Sequence, residues 1–286
     1  MTVALTGVTG ELGGRVARRL AVLGPLRLVG RDPGRMPDIP GAEVALAPGY
    51  DDRAAMAAAF AGADTVFLVS GRESPNRVEE HMSAVNAAVD AGVERIVYTS
   101  FLGAAPDTTF TLGRHHYATE EYIKATGLAW TFLRDSLYLD FVPFFASAEG
   151  VIAGPAGDGR CAYVARDDVA DVAVAVLAGE GRDDGQAYEL TGPAAFTLAE
   201  AAAALTAVSG REVRYVDETE EEAYASRAHY GAPDYEVEGW VTSYQAIAAG
   251  ELDVVTTAVP TLAGHPAMDL DTYLAANPRS WAHLAG

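Results

Sequence analysis

Gly7, Gly10 and Gly13 stand at a G-x-x-G-x-x-G spacing within Thr6-Gly7-Val8-Thr9-Gly10-Glu11-Leu12-Gly13. The run sits between Val3-Ala4-Leu5, a short apolar strand, and a helix that aligns Leu12, Val16, Leu20 and Leu23 on one face. Each glycine has its own task in such a turn. Gly7 permits the tight bend, Gly10 lets the backbone approach a pyrophosphate, and Gly13 lets the helix pack closely on the sheet. The helix N-terminus then presents unpaired N–H groups and a partial positive charge to phosphates. Glycines alone make ordinary turns, but strand, glycine turn and helix in this order is the context that dinucleotide binding requires.

A second strand over 26–29 runs into Gly30-Arg31-Asp32-Pro33. An NAD-selective site places an acid at this strand end to hold the ribose 2′-hydroxyl. Arg31 stands there instead, and a guanidinium pairs with a 2′-phosphate. NADP(H) is therefore favoured. Asp32 next to it keeps NAD(H) open.

The residues that could move a proton are fewer. Tyr117 is followed four residues later by Glu121, not by the lysine that lowers a catalytic tyrosine's pKa, and Lys124 is out of register. A carboxylate there would raise the tyrosine instead, which makes Tyr117 a poor general acid. His116 is the better proton donor, with an ordinary pKa of about 6.5. His115, His229, His265 and His283 have no metal-ligand spacing, so no metal is expected. Tyr138, Phe141, Phe144, Phe145 and Trp240 supply an aromatic wall for a substrate, although part of this set is expected to be core.

The elements that must position these residues alternate. Strands are expected over 43–47, 65–69, 95–99 and 128–133, and helices over 53–60, 79–91 and 119–125. This predicts an α/β fold, a Rossmann-like doubly wound parallel sheet. Ligands of such sheets bind at the carboxyl ends of the strands, which gathers Gly7 to Gly13, Arg31, Ser70, Thr99, Ser100 and Arg134 into one crevice. The pattern changes after Arg134. A helix over 167–177, a strand over 188–190, a helix over 197–209 and a strand over 214–216 predict a smaller, discontinuous C-terminal α/β lobe. The NAD(P)-binding domain then comprises 1–135, completed by about 160–193, and the substrate-binding lobe 136–159 and 194–286. Glu218 to Glu222 reads as a solvated helix start.

With 286 residues, half of them apolar, the chain can bury a sizeable core. A net charge of −20 disfavours nucleic acid and anionic membranes as partners. No apolar run reaches transmembrane length and the N-terminus lacks a signal peptide's charged start, so a cytoplasmic protein, monomer or homodimer, is expected. Cys161 is the sole cysteine, so no internal disulfide forms. Lys124 is the sole lysine among 20 basic residues, the codon bias of a GC-rich bacterial genome.

Taken together the motifs resemble the NmrA-like, atypical short-chain dehydrogenase/reductase family, of the triphenylmethane reductase and NADPH:quinone oxidoreductase type. The resemblance rests on TGVTGELGG, Gly49-Tyr50-Asp51-Asp52, Phe67-Leu68-Val69-Ser70-Gly71 and Ile96-Val97-Tyr98-Thr99-Ser100. It continues in His116-Tyr117-Ala118-Thr119-Glu120, Trp130 to Tyr138, and Tyr188 to Pro193. It implies that Thr9, Glu11 and Leu12 line the diphosphate and that Arg31 meets the adenosine phosphate. Asp51 or Asp52 would lie on the adenine side, Val69, Ser70 and Gly71 along the ribose, and Thr99 and Ser100 near the nicotinamide. Asp135 stands where relatives often carry asparagine.

A missing Tyr-x-x-x-Lys constrains the chemistry. A simple ketone needs a proton delivered to a developing alkoxide, whereas a quinone or delocalised dye stabilises the incoming charge itself. Hydride delivery then needs mainly a stacked nicotinamide and an aromatic pocket. The expected function is NAD(P)H-dependent reduction of a small aromatic, quinone-like substrate, such as an aromatic polyketide intermediate. Two alternatives use the same motifs: a non-catalytic NAD(P)-binding redox sensor, and an oxygen-dependent or redox-neutral polyketide-tailoring enzyme.

Overall fold

The short apolar runs form one parallel sheet in the computed structural model, which describes residues 1–179 and 181–284. β1 (Val3–Leu5) leads through the glycine turn to α1 (Glu11–Leu20) and β2 (Leu26–Gly30). β3 (Glu43–Leu46), α2 (Arg53–Phe60), β4 (Thr65–Leu68), α3 (Arg77–Asp90) and β5 (Arg95–Phe101) follow. Next come α4 (Thr111–Ala125), β6 (Ala129–Asp135) and a 3-10 segment over Leu139–Phe145. β7 (Val151–Gly154), β8 (Arg160–Cys161) and α5 (Arg166–Ala178) precede β9 (Gln186–Leu190), which returns to the sheet. The strand order is β3-β2-β1-β4-β5-β6-β9, with every neighbouring pair parallel. The order reverses between β1 and β4, and a crevice opens at their carboxyl ends.

Period-two alternation divides the strand side chains between two cores. Val3, Leu5, Phe67, Val97 and Leu133 face α1 and α5, while Ala4, Val66, Leu68, Ile96, Tyr98 and Phe132 face α2, α3 and α4. An ionic seam closes α1 onto α5, where Arg19 reaches Asp167 at 2.5 Å and Asp171 at 3.0 Å.

The remaining elements are β10 (Phe196–Thr197), α6 (Leu198–Ser209), β11 (Arg214–Asp217), α7 (Glu220–Arg227), α8 (Asp234–Ala248), α9 (Ala258–Ala263) and α10 (Leu270–Ala276). β11 pairs parallel with β7, and β10 antiparallel with β8. Thr197 with Glu200, and Thr219 with Glu222, form reciprocal caps that start α6 and α7. Leu139, Val142, Ile152, Tyr163, Leu205 and Ile247 share the core beneath this region. Val259 of α9 buries beside α5 instead.

Two expectations need correction. Leu23 does not extend the buried face of α1: the helix ends at Leu20, and Leu23 is 57% exposed. The helix expected over 119–125 begins at Thr111. Its first turns hold Gly113 and two histidines, which are poor helix formers. Its buried stripe is polar (His116, Thr119, Glu120), so apolar periodicity misses it.

Candidate functional site

The glycine turn is built as its spacing requires. Gly7 has φ +65, and a Cβ there would lie 2.8 Å from the Val69 Cβ. The Gly10 N–H donates to the Gly7 carbonyl at 2.9 Å. A Cβ at Gly13 would overlap the Gly7 carbonyl oxygen and lie 2.6 Å from its carbon. Gly10 caps α1 without any side-chain hydrogen bond, so the first helical N–H groups stay open for an anion.

A groove of about 570 Å³ lies at this helix end, lined by Thr9, Gly10, Glu11, Arg18 and Arg35 among others. Leu12 packs its side chain into the core and has only its backbone to offer. These features fit a dinucleotide's phosphates: close backbone, open helix end, and arginines at the rim. Arg31 is exposed just past β2 and does not line the groove; Arg35 does. Nothing periodic marks Arg35 in the sequence, because it closes a 3-10 turn over Pro33–Arg35. The Asp32 carboxylate accepts the Gly34 N–H at 2.9 Å through one oxygen and caps that turn, leaving its second oxygen exposed. Replacing Arg31 and Arg35 together with alanine is expected to raise the KM for NADPH about 30-fold, as for two partly exposed charge-assisted hydrogen bonds. The KM for NADH should barely move, and steady-state kinetics with both coenzymes checks this.

Backbone at the β4 end is pinned from several sides. The Val69 N–H donates to Thr6 Oγ1 at 2.9 Å, the Ser70 N–H to Thr99 Oγ1 at 2.7 Å, and the Gly71 N–H to His81 Nε2 at 2.8 Å. Tyr50 Oη lies 2.6 Å from both Thr6 Oγ1 and the Val69 carbonyl oxygen. Burial pushes the Tyr50 pKa up, so the phenol stays protonated. Asp51 is exposed, and the Asp52 carboxylate is occupied in capping α2 through the Ala55 N–H. Tyr50 and His81, neither singled out in the sequence, thus shape the bed that Val69, Ser70 and Gly71 form.

Beyond that bed lies a cavity of about 900 Å³, within the range of small-molecule sites. Ser70, Gly71, Ser100 and Asp135, at the carboxyl ends of β4, β5 and β6, form its polar floor with His116 of α4. Tyr138, Phe141, Phe144, Phe145 and Trp240 all lie in its wall, with Tyr230 and Tyr244 beside them. Phe144 is 63% exposed, a large apolar surface open to a ligand. Arg166 stacks its guanidinium 4.5 Å from the Tyr138 ring centre and 4.3 Å from that of Phe141, fixing both rings. Thr99 and Val69 do not line the cavity; they support it from beneath.

Three other candidates end elsewhere or in another role. Tyr117 is half-buried on α4 and is not part of the cavity wall. Arg134 stays out of the crevice. It clamps Glu120 at 2.8 Å and 2.6 Å, and Ser100 Oγ donates to the same carboxylate. His116 lines the cavity, but its proton is committed. Its Nε2 accepts from Arg77 Nη2 at 3.0 Å, so Nδ1 carries the hydrogen toward Tyr98 Oη at 2.9 Å. Burial, with Arg77 alongside, holds its pKa well below the ordinary value. His116 is thus a neutral imidazole and not the donor its ordinary pKa suggests.

Asp135 has the opposite character. It ends β6 in the cavity floor, buried, with Oδ2 accepting from Tyr138 Oη at 2.8 Å. Its Oδ1 has no hydrogen-bond partner among the described residues. Burial pushes its carboxyl up to about 8, against the pull of the Tyr138 hydroxyl and Arg166. At neutral pH it is a carboxylic acid, and Oδ1 is the oxygen free to carry the proton.

A family model described as NAD(P)H-binding matches residues 7–180. The chain is 32% identical over 271 residues to the NAD(P)H azoreductase of Xenophilus azovorans, covering 93% of this chain and 94% of that protein. It is 33% identical over 278 residues to quinone oxidoreductase 2 of Escherichia coli (strain K12), covering 94% and 96%. The crystal structure of that Escherichia coli enzyme complexed with NADPH is similar at a TM-score of 0.88, covering 96% of this chain and 99% of the other at 32% identity. The Citrobacter sp. triphenylmethane reductase complexed with NADP(H) is similar at a TM-score of 0.86, covering 96% and 99% at 31% identity.

Proposed function

The chain belongs to the NAD(P)H-binding family, and from that premise we propose that it is an NADPH-dependent reductase of aromatic, quinone-like acceptors. One observation carries this reading: the aromatic cavity opens against the same strand ends that hold the backbone bed of Val69, Ser70 and Gly71. The similar proteins, named azoreductase, quinone oxidoreductase and triphenylmethane reductase, support a planar conjugated acceptor. The bound coenzyme supplies the hydride. This chain's residues bind, orient and protonate.

Gly7, Gly10, Gly13 and the open end of α1 hold the phosphates, with Arg31 and Arg35 toward the adenosine phosphate. Tyr138, Phe141, Phe144 and Trp240 stack the acceptor and exclude water from the floor. A quinone that gains a hydride's two electrons needs protons on its oxygens. Asp135, the buried acid of the cavity floor, is the residue we assign to give one, and solvent returns it after product leaves. Tyr138 Oη keeps the carboxyl oriented throughout.

The test is anaerobic oxidation of NADPH with 1,4-naphthoquinone as acceptor. Turnover well above the uncatalysed rate is expected, and none would refute the reading. Trp240→Ala removes one face of the stack. It should raise the quinone KM about tenfold, the usual weight of a buried aromatic contact, while the KM for NADPH stays within about twofold.

A further inference from the structure

The cavity wall holds a cation without a counterion. Arg77 opens α3 and is 3% exposed. Its Nε donates to the Gly71 carbonyl at 2.9 Å and its Nη2 to His116 Nε2 at 3.0 Å. Its Nη1 has no partner, and among the described residues no carboxylate forms an ion pair with it. Both groups it does touch are neutral, so they orient the guanidinium without cancelling its charge. Glu73 shares the cavity wall and Glu80 lies along the same helix; both act on it only through space. The other arginine of this wall, Arg227, is neutralised by Glu218 at 2.9 Å.

A buried charge left unpaired is strongly destabilising, and a ligand that brings a counterion to it would relieve that cost. We propose that the acceptor carries an acidic oxygen on its aromatic frame, an enolate, phenolate or carboxylate, and that it pairs with the Arg77 guanidinium across the cavity wall. The preferred substrates are then hydroxylated or carboxylated quinones, and neutral quinones are secondary. This rests on reading the cavity as the acceptor site. Arg77 thereby sets specificity: the aromatic wall selects a planar ring, and the guanidinium selects its charge and orientation.

The test compares 2-hydroxy-1,4-naphthoquinone, ionised at neutral pH, with uncharged 2-methyl-1,4-naphthoquinone. Their dissociation constants for the enzyme–NADP+ complex are measured by titration calorimetry, beside anaerobic NADPH oxidation with each. The wild-type enzyme is expected to bind the hydroxy compound about tenfold or more tightly, the weight of one buried charge-assisted hydrogen bond. In Arg77→Met the ratio of the two constants should fall to near one, and Arg77→Lys should retain part of it. Equal binding of the two quinones by the wild-type enzyme would overturn the proposal without recourse to any variant. A preference that survives Arg77→Met in a folded protein would also overturn it. If NADPH oxidation proceeds with both quinones but shows no such preference, the acceptor site stands and the anion proposal falls. If neither quinone is bound or reduced, the reductase reading itself falls.

Discussion

Gly13→Val is expected to abolish NADPH binding, raising the dissociation constant more than about 100-fold. The reason is steric and local. A Cβ at residue 13 would overlap the Gly7 carbonyl oxygen and come within 3.0 Å of the Thr6 carbonyl oxygen. Those are backbone atoms of the turn itself, and they have no rotamer through which to yield. α1 would have to lift from the sheet, and the helix end with its free N–H groups would leave the groove. Gly10→Ala is a graded control, since its Cβ would lie 3.2 Å from the Gly7 oxygen, a contact that a small shift relieves. A loss of about tenfold is expected there. Calorimetry with NADPH reads both, and circular dichroism establishes that each variant is folded.

Asp135→Asn is expected to act in opposite directions on activity and stability. The amide preserves the shape and still accepts from Tyr138 Oη, but it has no acidic proton to give. With a naphthoquinone acceptor, kcat should fall about 100-fold, the low end of general-acid contributions. The wild-type rate should decline as pH rises through about 8, where Asp135 ionises, and the variant should lack that limb. The stability sign follows from the same shift. The folded-state value lies above the ordinary carboxyl value of 3.8, so the folded chain keeps a proton that the unfolded chain has already lost. The resulting loss of stability is absent below the ordinary carboxyl range, grows up to about pH 8, and is constant above it. Wild-type stability therefore falls over that window. Asp135→Asn should melt at the same temperature as wild type near pH 4 and several degrees higher near pH 9.

Much of this was legible from residue order alone. Gly7, Gly10 and Gly13 announced themselves because a backbone approach can only be written with glycine. The strands were visible because buried parallel strands are apolar on both faces, as Thr65–Leu68 and Arg95–Phe101 largely are. Tyr138 and Trp240, about a hundred residues apart, were both chosen for ring type, and the fold brings them to one wall. What stayed hidden depends on environment. Asp135 keeps a proton that its ordinary pKa would release, and His116 loses the near-neutral titration that would make it an acid, because burial disfavours the charged form of each. Arg77 and His81 lie four apart on α3, and neither is marked in the sequence: Arg77 precedes the helix expected over 79–91, and only the fold shows that both are buried. Arg35 sits in a turn without periodicity, and the polar face of α4 carries no apolar stripe to reveal where that helix begins.

The most direct test of the account is anaerobic single-turnover reduction of 1,4-naphthoquinone by the enzyme loaded with NADPH, using coenzyme that carries hydrogen or deuterium at the transferred position. One hydroquinone should form per NADPH consumed, with a clear slowing of that step by deuterium. NADPH that binds tightly yet stays unoxidised with quinone bound beside it would contradict the account.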